Sequence, residues 1–177
     1  MKDKLGLIHI YTGDGKGKTT SSVGLAVRGL GAGLNVVFCQ FLKSGNSSEI
    51  NILKNLDNLT IVQGEGVKGF VKYMSEEEVK HVTKMHDEML LECINLCKSG
   101  KCDMLILDEI MAAVNLNVVS YKVLLDFLRN KPENVEIVMT GRNPKEELID
   151  LADYISEIRK IKHPFDKGIN ARYGVEK

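Results

Sequence analysis

Residues 5–24 read LGLIHIYTGDGKGKTTSSVG, and the rest of the chain is organised around them. The apolar run Leu7 to Tyr11 alternates too little for a half-exposed strand and predicts one buried on both faces. Gly13-Asp14-Gly15-Lys16-Gly17-Lys18-Thr19-Thr20 follows. After it, Val23, Ala26, Val27 and Leu30 recur on one side of a helix. A strand, a glycine loop ending in Lys-Thr and a helix are the context a phosphate-binding loop requires. Glycines permit positive φ and leave no Cβ against a phosphate. Successive backbone N–H groups then form a concavity for an anion. The helix beginning near Lys18 adds its unpaired N–H groups and the positive end of its dipole. Residues Gly13 to Thr20 are therefore the candidate nucleotide-binding set. Lys18 supplies a point charge and Thr19 a hydroxyl placed to ligate Mg²⁺. The general pattern G-x-x-x-x-G-K-[ST] has glycine where this chain has Thr12, so the loop is a shortened variant. The competing reading is a glycine-rich turn that binds nothing, and the flanking strand and helix weigh against it.

Working outward, Asn35 to Phe41 predicts a second strand, and its tail Gln40 to Gly45 leaves at the carboxyl edge of the sheet, where ligands of open α/β sheets sit. Ser47 or Ser48 is expected to cap a short helix through Asp57, with Ile50, Leu53 and Leu56 inward. Thr60 to Gln63 is a third strand. Residues 64–74, GEGVKGFVKYM, combine three glycines with Val, Phe, Tyr and Met, which predicts either a mobile ligand-covering loop or one tucked down by Phe70 and Tyr73. Ser75 followed by three glutamates predicts a capped helix start. Behind it Val82, Met85, His86, Met89, Leu90, Cys93, Leu96 and Cys97 recur at helical spacing as core.

Asp103 to Glu109 is an apolar strand ending in Asp108-Glu109, the Walker B pattern, whose carboxylates hold Mg²⁺ directly or through water. Which of the two acids ligates stays open, because one of them can equally serve as a cap or a supporting group. Ser120 to Asn130 is an amphipathic helix ended by Pro132. Val135 to Thr140 is a buried strand. Asn143 is expected to cap the next helix, with Pro144 in its first turn. Arg142, at the carboxyl edge, can reach phosphate or another anion; a solvated loop arginine is the alternative. Tyr154 to Ile161 is read as the last strand, and the tail from Lys162 as a flap over the site.

The totals suit one domain spanning 1–177: 44% hydrophobic and 27% charged residues. Lys plus Arg equals Asp plus Glu, 24 each, which argues against a nucleic-acid partner. No apolar run is long enough to span a membrane, and the N-terminal lysines lead straight into the first strand, so neither a membrane partner nor a signal peptide is expected and the compartment is read as the cytoplasm. Cys39, Cys93, Cys97 and Cys102 form no C-x-x-C pair and read as buried reduced thiols. His9, His81, His86 and His163 lack zinc-site spacing.

Together the motifs resemble the corrinoid adenosyltransferases of the BtuR/CobO type. The resemblance is carried by Tyr11 to Thr20, Gln40-Phe41-Leu42-Lys43, Leu107-Asp108-Glu109, Thr140-Gly141-Arg142 and the closing Lys162-His163-Pro164-Phe165-Asp166-Lys167-Gly168. It runs almost end to end, and the form at Thr12 is the family's own. It implies an α/β fold of the RecA-like P-loop kind, mostly parallel with helices on both faces, and a homodimer. It also implies MgATP, or Mn²⁺ in place of Mg²⁺, and transfer of the 5′-deoxyadenosyl group to the cobalt of cob(I)alamin or a related corrinoid, with tripolyphosphate leaving. An electron-donating flavoprotein is a further implied partner. Co(I) is itself the nucleophile, so the protein's task is positioning and electrostatics. Lys18 and Lys16 would offset the charge of the leaving group, and Thr19 with Asp108 or Glu109 would fix the metal. In the family, aromatic groups on the mobile loop displace the lower axial ligand of Co(II). Here Phe70 matches, Lys72 stands where relatives carry tryptophan, and Tyr73 is the candidate substitute. Asp14 replaces the family's Asn, and the long N-terminal extension of some relatives is missing. The catalytic candidates are Lys18, Phe70, Tyr73 and Arg142. Two other readings use the same motifs: a P-loop kinase or ATPase, and a non-catalytic nucleotide-dependent corrinoid-binding module.

Overall fold

The computed structural model describes residues 4–43, 47–67 and 69–176. Six parallel strands form one sheet: β1 (Ile8–Thr12), β2 (Val36–Gln40), β3 (Leu59–Val62), β4 (Met104–Asp108), β5 (Glu136–Thr140) and β6 (Tyr154–Glu157), in the order β3-β2-β4-β5-β1-β6. The expected α/β class holds, and the sheet is wholly parallel. Parallel neighbours need crossovers, supplied here mainly by helices α1 (Lys18–Gly31), α2 (Ile50–Leu53), α3 (Glu76–Lys98), α4 (Ile110–Asn115), α5 (Tyr121–Arg129) and α6 (Glu146–Leu151).

Strand side chains alternate between faces, and this splits the core in two. Val37, Cys39, Leu105, Leu107, Ile137 and Met139 face α3, α4, α5 and α6. Val36, Phe38, Met104, Ile106 and Val138 face α1 and α2. Strands β2, β4 and β5 are buried along their whole length. That explains why they read as unbroken apolar runs.

β1 departs from the expectation of full burial. Ile8 and Ile10 are buried, but His9, Tyr11 and Thr12 are half-buried. The reason is β6, a short exposed edge strand beside it. His9 instead stacks on Tyr154 at 4.6 Å and bonds Glu136 through Nε2 at 2.6 Å. In α1 the buried residues are Lys18, Ser22, Ala26 and Gly29, while Val27 is exposed, so the inward face is smaller and more polar than the apolar spacing indicates. A Cβ added at Gly29 would lie 3.4 Å from the Met104 side chain, so the helix approaches β4 closely.

Ser75 forms the expected capping box: its hydroxyl accepts from Glu78 N–H, and Glu78 Oε2 accepts from Ser75 N–H at 2.7 Å. Ser120 caps α5 through Val123 N–H. Other caps differ. The helix after Ser48 spans a single turn, with Glu49 at its cap and no side-chain cap bond. Asn143 does not cap α6; it takes left-handed backbone at φ 51°, and Lys145 stands at the cap. The turn holds Asn143 another way, through Asn115 Nδ2 donating to its carbonyl at 3.0 Å. β6 ends at Glu157, short of Ile161, because the chain there turns to pack on the glycine loop. α4 lies between the expected elements. Of the expected tail of β2, Phe41, Leu42 and Lys43 leave at the carboxyl edge, while Ser44 and Gly45 fall outside the described residues. The four cysteines are free and buried. Among the described residues no helix is long and apolar enough to cross a membrane.

Candidate active site

The sheet order places β5 between β1 and β4, so three carboxyl ends converge. Thr12 opens into the glycine loop, Asp108 ends β4 and Thr140 ends β5. Asp108 is fully buried. Its Oδ1 accepts from Thr19 Oγ1 at 2.9 Å and from Thr140 Oγ1 at 2.7 Å, and its Oδ2 accepts from Gln40 Nε2 at 3.3 Å. Gln40 Nε2 also donates to Glu49 Oε1 at 2.9 Å. Burying a carboxylate is costly unless donors of this kind satisfy its oxygens. Asp108 thus orients the Thr19 hydroxyl and does not itself line the cavity.

Of the two acids at the end of β4, Glu109 is the one that lines the cavity. It sits in left-handed backbone at φ 60°, at the start of α4, and its N–H donates to Thr140 Oγ1 at 2.9 Å. Non-glycine residues rarely hold this conformation and store strain when they do. Burial and the neighbouring Asp108 raise its pKa, partly offset by Lys43, Lys18 and Arg142. No group of three or more His, Cys, Asp or Glu able to hold a metal occurs among the described residues. Mg²⁺ commonly takes one or two carboxylates plus substrate phosphates and water, and hard oxygen donors from Thr19 and Glu109, with Asp108 behind, fit that habit.

The loop itself is shaped by the chain beside it. Gly13 (φ 104°) and Gly17 (φ 126°) take backbone that L side chains rarely adopt. A Cβ at Gly13 would lie 2.4 Å from Ile158 O, and one at Gly15 2.8 Å from the same atom. Gly15 N–H donates to Ile158 O at 2.8 Å. These two glycines are thus required by the close approach of residues 158–159, a constraint additional to clearance for a phosphate. Asp14, at the rim of the cavity, is held by the chain beyond β6: its Oδ1 accepts from Lys160 N–H at 2.9 Å, which lowers its pKa.

Lys18 is buried, and its Nζ donates to Gly15 O at 2.8 Å. Burial, with Arg142 nearby, lowers its pKa. A polyanion beside the ammonium would oppose that shift.

A cavity of about 310 Å³ is lined by Asp14 to Thr20, Lys43, Glu109 and Arg142, and by His163 to Phe165, Ile169 to Arg172, Val175 and Glu176. The structure thus brings Lys18, Thr19, Glu109 and Arg142 together. It does not bring Phe70 or Tyr73 there. Phe70 lines a neighbouring cavity that shares Lys43 and Glu109, while Tyr73 lines neither of the two. Both rings are largely exposed, 73% and 75%, and meet edge to face at 6.5 Å; Lys72 Nζ lies 4.5 Å from the Tyr73 ring. Of the two loop readings, the one in which these rings tuck the segment down fails. Lys43 was legible as part of Gln40 to Lys43 but not as a residue common to both cavities. The roles of Gln40 and Thr140 depend on strand adjacency and carry no local signal beyond their motifs.

A family model described as ATP:corrinoid adenosyltransferase BtuR/CobO/CobP matches residues 4–176. The chain belongs to that family. Within it, the chain is similar to a corrinoid adenosyltransferase of a Sinorhizobium species, with 33% identity over 98% of this chain and 81% of that one. The corrinoid adenosyltransferase CobA of Salmonella typhimurium is 30% identical over 99% of this chain and 87% of its own length. Among solved structures, a KaiC-like protein of Pyrococcus horikoshii superposes with a TM-score of 0.49 and 17% identity over 87% of this chain and 72% of that one. For a BtuR/CobO/CobP member, the cavity of Lys18, Thr19, Glu109 and Arg142 is the candidate ATP site, and the Phe70 cavity, sharing Lys43 and Glu109, is the candidate second-substrate site.

Proposed function

We propose that this protein is an ATP-dependent corrinoid adenosyltransferase, with the glycine-loop cavity as its ATP site and the Phe70 cavity as the approach for the corrinoid. Family membership over residues 4–176 is the observation that carries the activity. The doubly used Lys43 and Glu109 are what support the arrangement of two adjoining substrates.

In this reading Co(I) donates an electron pair to C5′ of ATP, the cobalt–carbon bond forms, and the C5′–O bond breaks with tripolyphosphate leaving. The protein contributes no nucleophile. Lys18, Lys16 and Arg142 neutralise the growing charge on the leaving oxygens. Thr19, oriented by Asp108, and Glu109 would hold a divalent ion, Mg²⁺ or Mn²⁺, which would spread that charge. The kinase reading would use the same loop, so product identity separates them. The protein works in the cytoplasm as a homodimer, taking electrons from a flavoprotein; these three points rest on resemblance to the family.

The test is anaerobic incubation of the protein with MgATP and chemically reduced cob(I)alamin. Adenosylcobalamin with tripolyphosphate is expected. ADP without a cobalt–carbon bond would establish the kinase or ATPase reading instead, and binding of both ligands without turnover the binding module. Lys18→Ala should reduce ATP binding by at least about a hundredfold while leaving the far-UV spectrum unchanged.

A further inference from the structure

The segment that closes the cavity carries an ion pair of its own. Arg172 Nη2 donates to Glu176 Oε1 at 2.8 Å and Nε to Oε2 at 3.2 Å, and the Arg172 backbone N–H donates to Oε2 at 2.9 Å. Both residues line the cavity of the glycine loop. Glu176 also lines the adjoining cavity with Thr19, Thr20, Lys43 and Glu49. Its side chain keeps 17% of its surface, against 57% for Arg172. An exposed pair of this kind adds little to stability, so its placement is better explained by what it faces. Glu176 faces cations: Arg172 holds its carboxyl down to about 2, and Lys16 adds to the effect. A permanent carboxylate thus stands over a loop built to receive an anion.

We propose that Arg172 is a further polyphosphate-binding residue, and that Glu176 is an internal anion which holds its guanidinium until nucleotide enters. The inference rests on reading the cavity as the ATP site. The guanidinium fork fits carboxylate and phosphate alike, so phosphate oxygens replace the Glu176 oxygens on Arg172 with no covalent change. Glu176 in turn repels the incoming charge, and the pair sets nucleotide affinity by exchange of one anion for another.

The two residues then have effects of opposite sign, which a simple clasp for the tail would not produce. The experiment measures binding of MgATP, and separately of inorganic tripolyphosphate, by titration calorimetry on the full chain. Arg172→Ala should weaken both about tenfold, and Glu176→Gln should strengthen both about threefold. The double variant should follow Arg172→Ala. Arg172→Lys, which keeps the charge and loses the fork, should fall between wild type and Arg172→Ala. Thermal melts of each variant separate lost folding from lost binding. Weakening by both single variants would make the pair a structural clasp and overturn the proposal. So would unchanged binding in both while Lys18→Ala abolishes it. Normal binding by Lys18→Ala would instead overturn the reading of the site itself.

Discussion

Glu109 combines strain, burial and charge in one residue, and each has a measurable consequence. Its pKa is raised by burial and by Asp108. On unfolding it returns to the ordinary glutamate range. Between that range and its folded value the folded state binds more protons than the unfolded one, so its contribution to stability falls as pH rises through the window. Above the folded value the full penalty remains. Glu109→Gln should therefore be more stable than wild type at pH 7 to 8, with the gap closing near pH 4, as read by urea denaturation at each pH. The same substitution should cut activity by about a hundredfold or more, because a cavity-lining oxygen anion is gone. Phe70 is the converse case. Its ring is 73% exposed, so Phe70→Ala should change stability by no more than about 0.5 kcal/mol. If the ring displaces an axial ligand, activity starting from Co(II) should fall about tenfold or more while activity from pre-reduced Co(I) changes little. Equal losses from both starting states would remove that role from Phe70.

At the scale of elements, the glycine loop and the chain leaving β6 behave as one unit. Gly15 N–H donates to Ile158 O, Asp14 accepts from Lys160 N–H, and Gly13 has no room for a Cβ against Ile158. Gly15→Ala would push a methyl to 2.8 Å from Ile158 O and 2.9 Å from Arg159. Backbone cannot yield as a side chain tip can, so the two segments must separate. A loss of about 1–3 kcal/mol in chemical denaturation is expected, together with weaker ATP binding. Retained affinity with retained stability would mean that the contact with 158–159 is not what shapes the loop. The loop's chemistry was legible from its composition. Its dependence on a segment far along the chain was not, because a glycine looks the same whether a phosphate or a carbonyl approaches it.

For the whole molecule, the strand order decides which residues meet. β5 between β1 and β4 puts Thr140 against Asp108 and under Glu109, and Gln40 reaches Asp108 from β2. Thr140→Val keeps the shape, removes a donor from a buried carboxylate and removes the acceptor of Glu109 N–H. A loss of about 1–3 kcal/mol is expected. A KM for ATP that rises along with it would show that Asp108 needs Thr140 to orient Thr19; a drop in stability alone would confine Thr140 to a structural role.

The sequence by itself determined the class of fold, through apolar runs long enough for strands buried on both faces alternating with helical periods. It also determined the phosphate loop, the acids at the end of β4 and the family, because these are local patterns whose chemistry depends on spacing along the chain. Only the tertiary structure decided which acid faces the cavity, which glycines are fixed by neighbouring backbone, and that Lys43 borders both cavities. It also decided that Tyr73 stands apart from both and that Arg172 and Glu176 pair at the edge of the glycine-loop cavity. Those facts depend on contacts between residues far apart in sequence, and the order of strands in a sheet is set by the packing of all its layers at once.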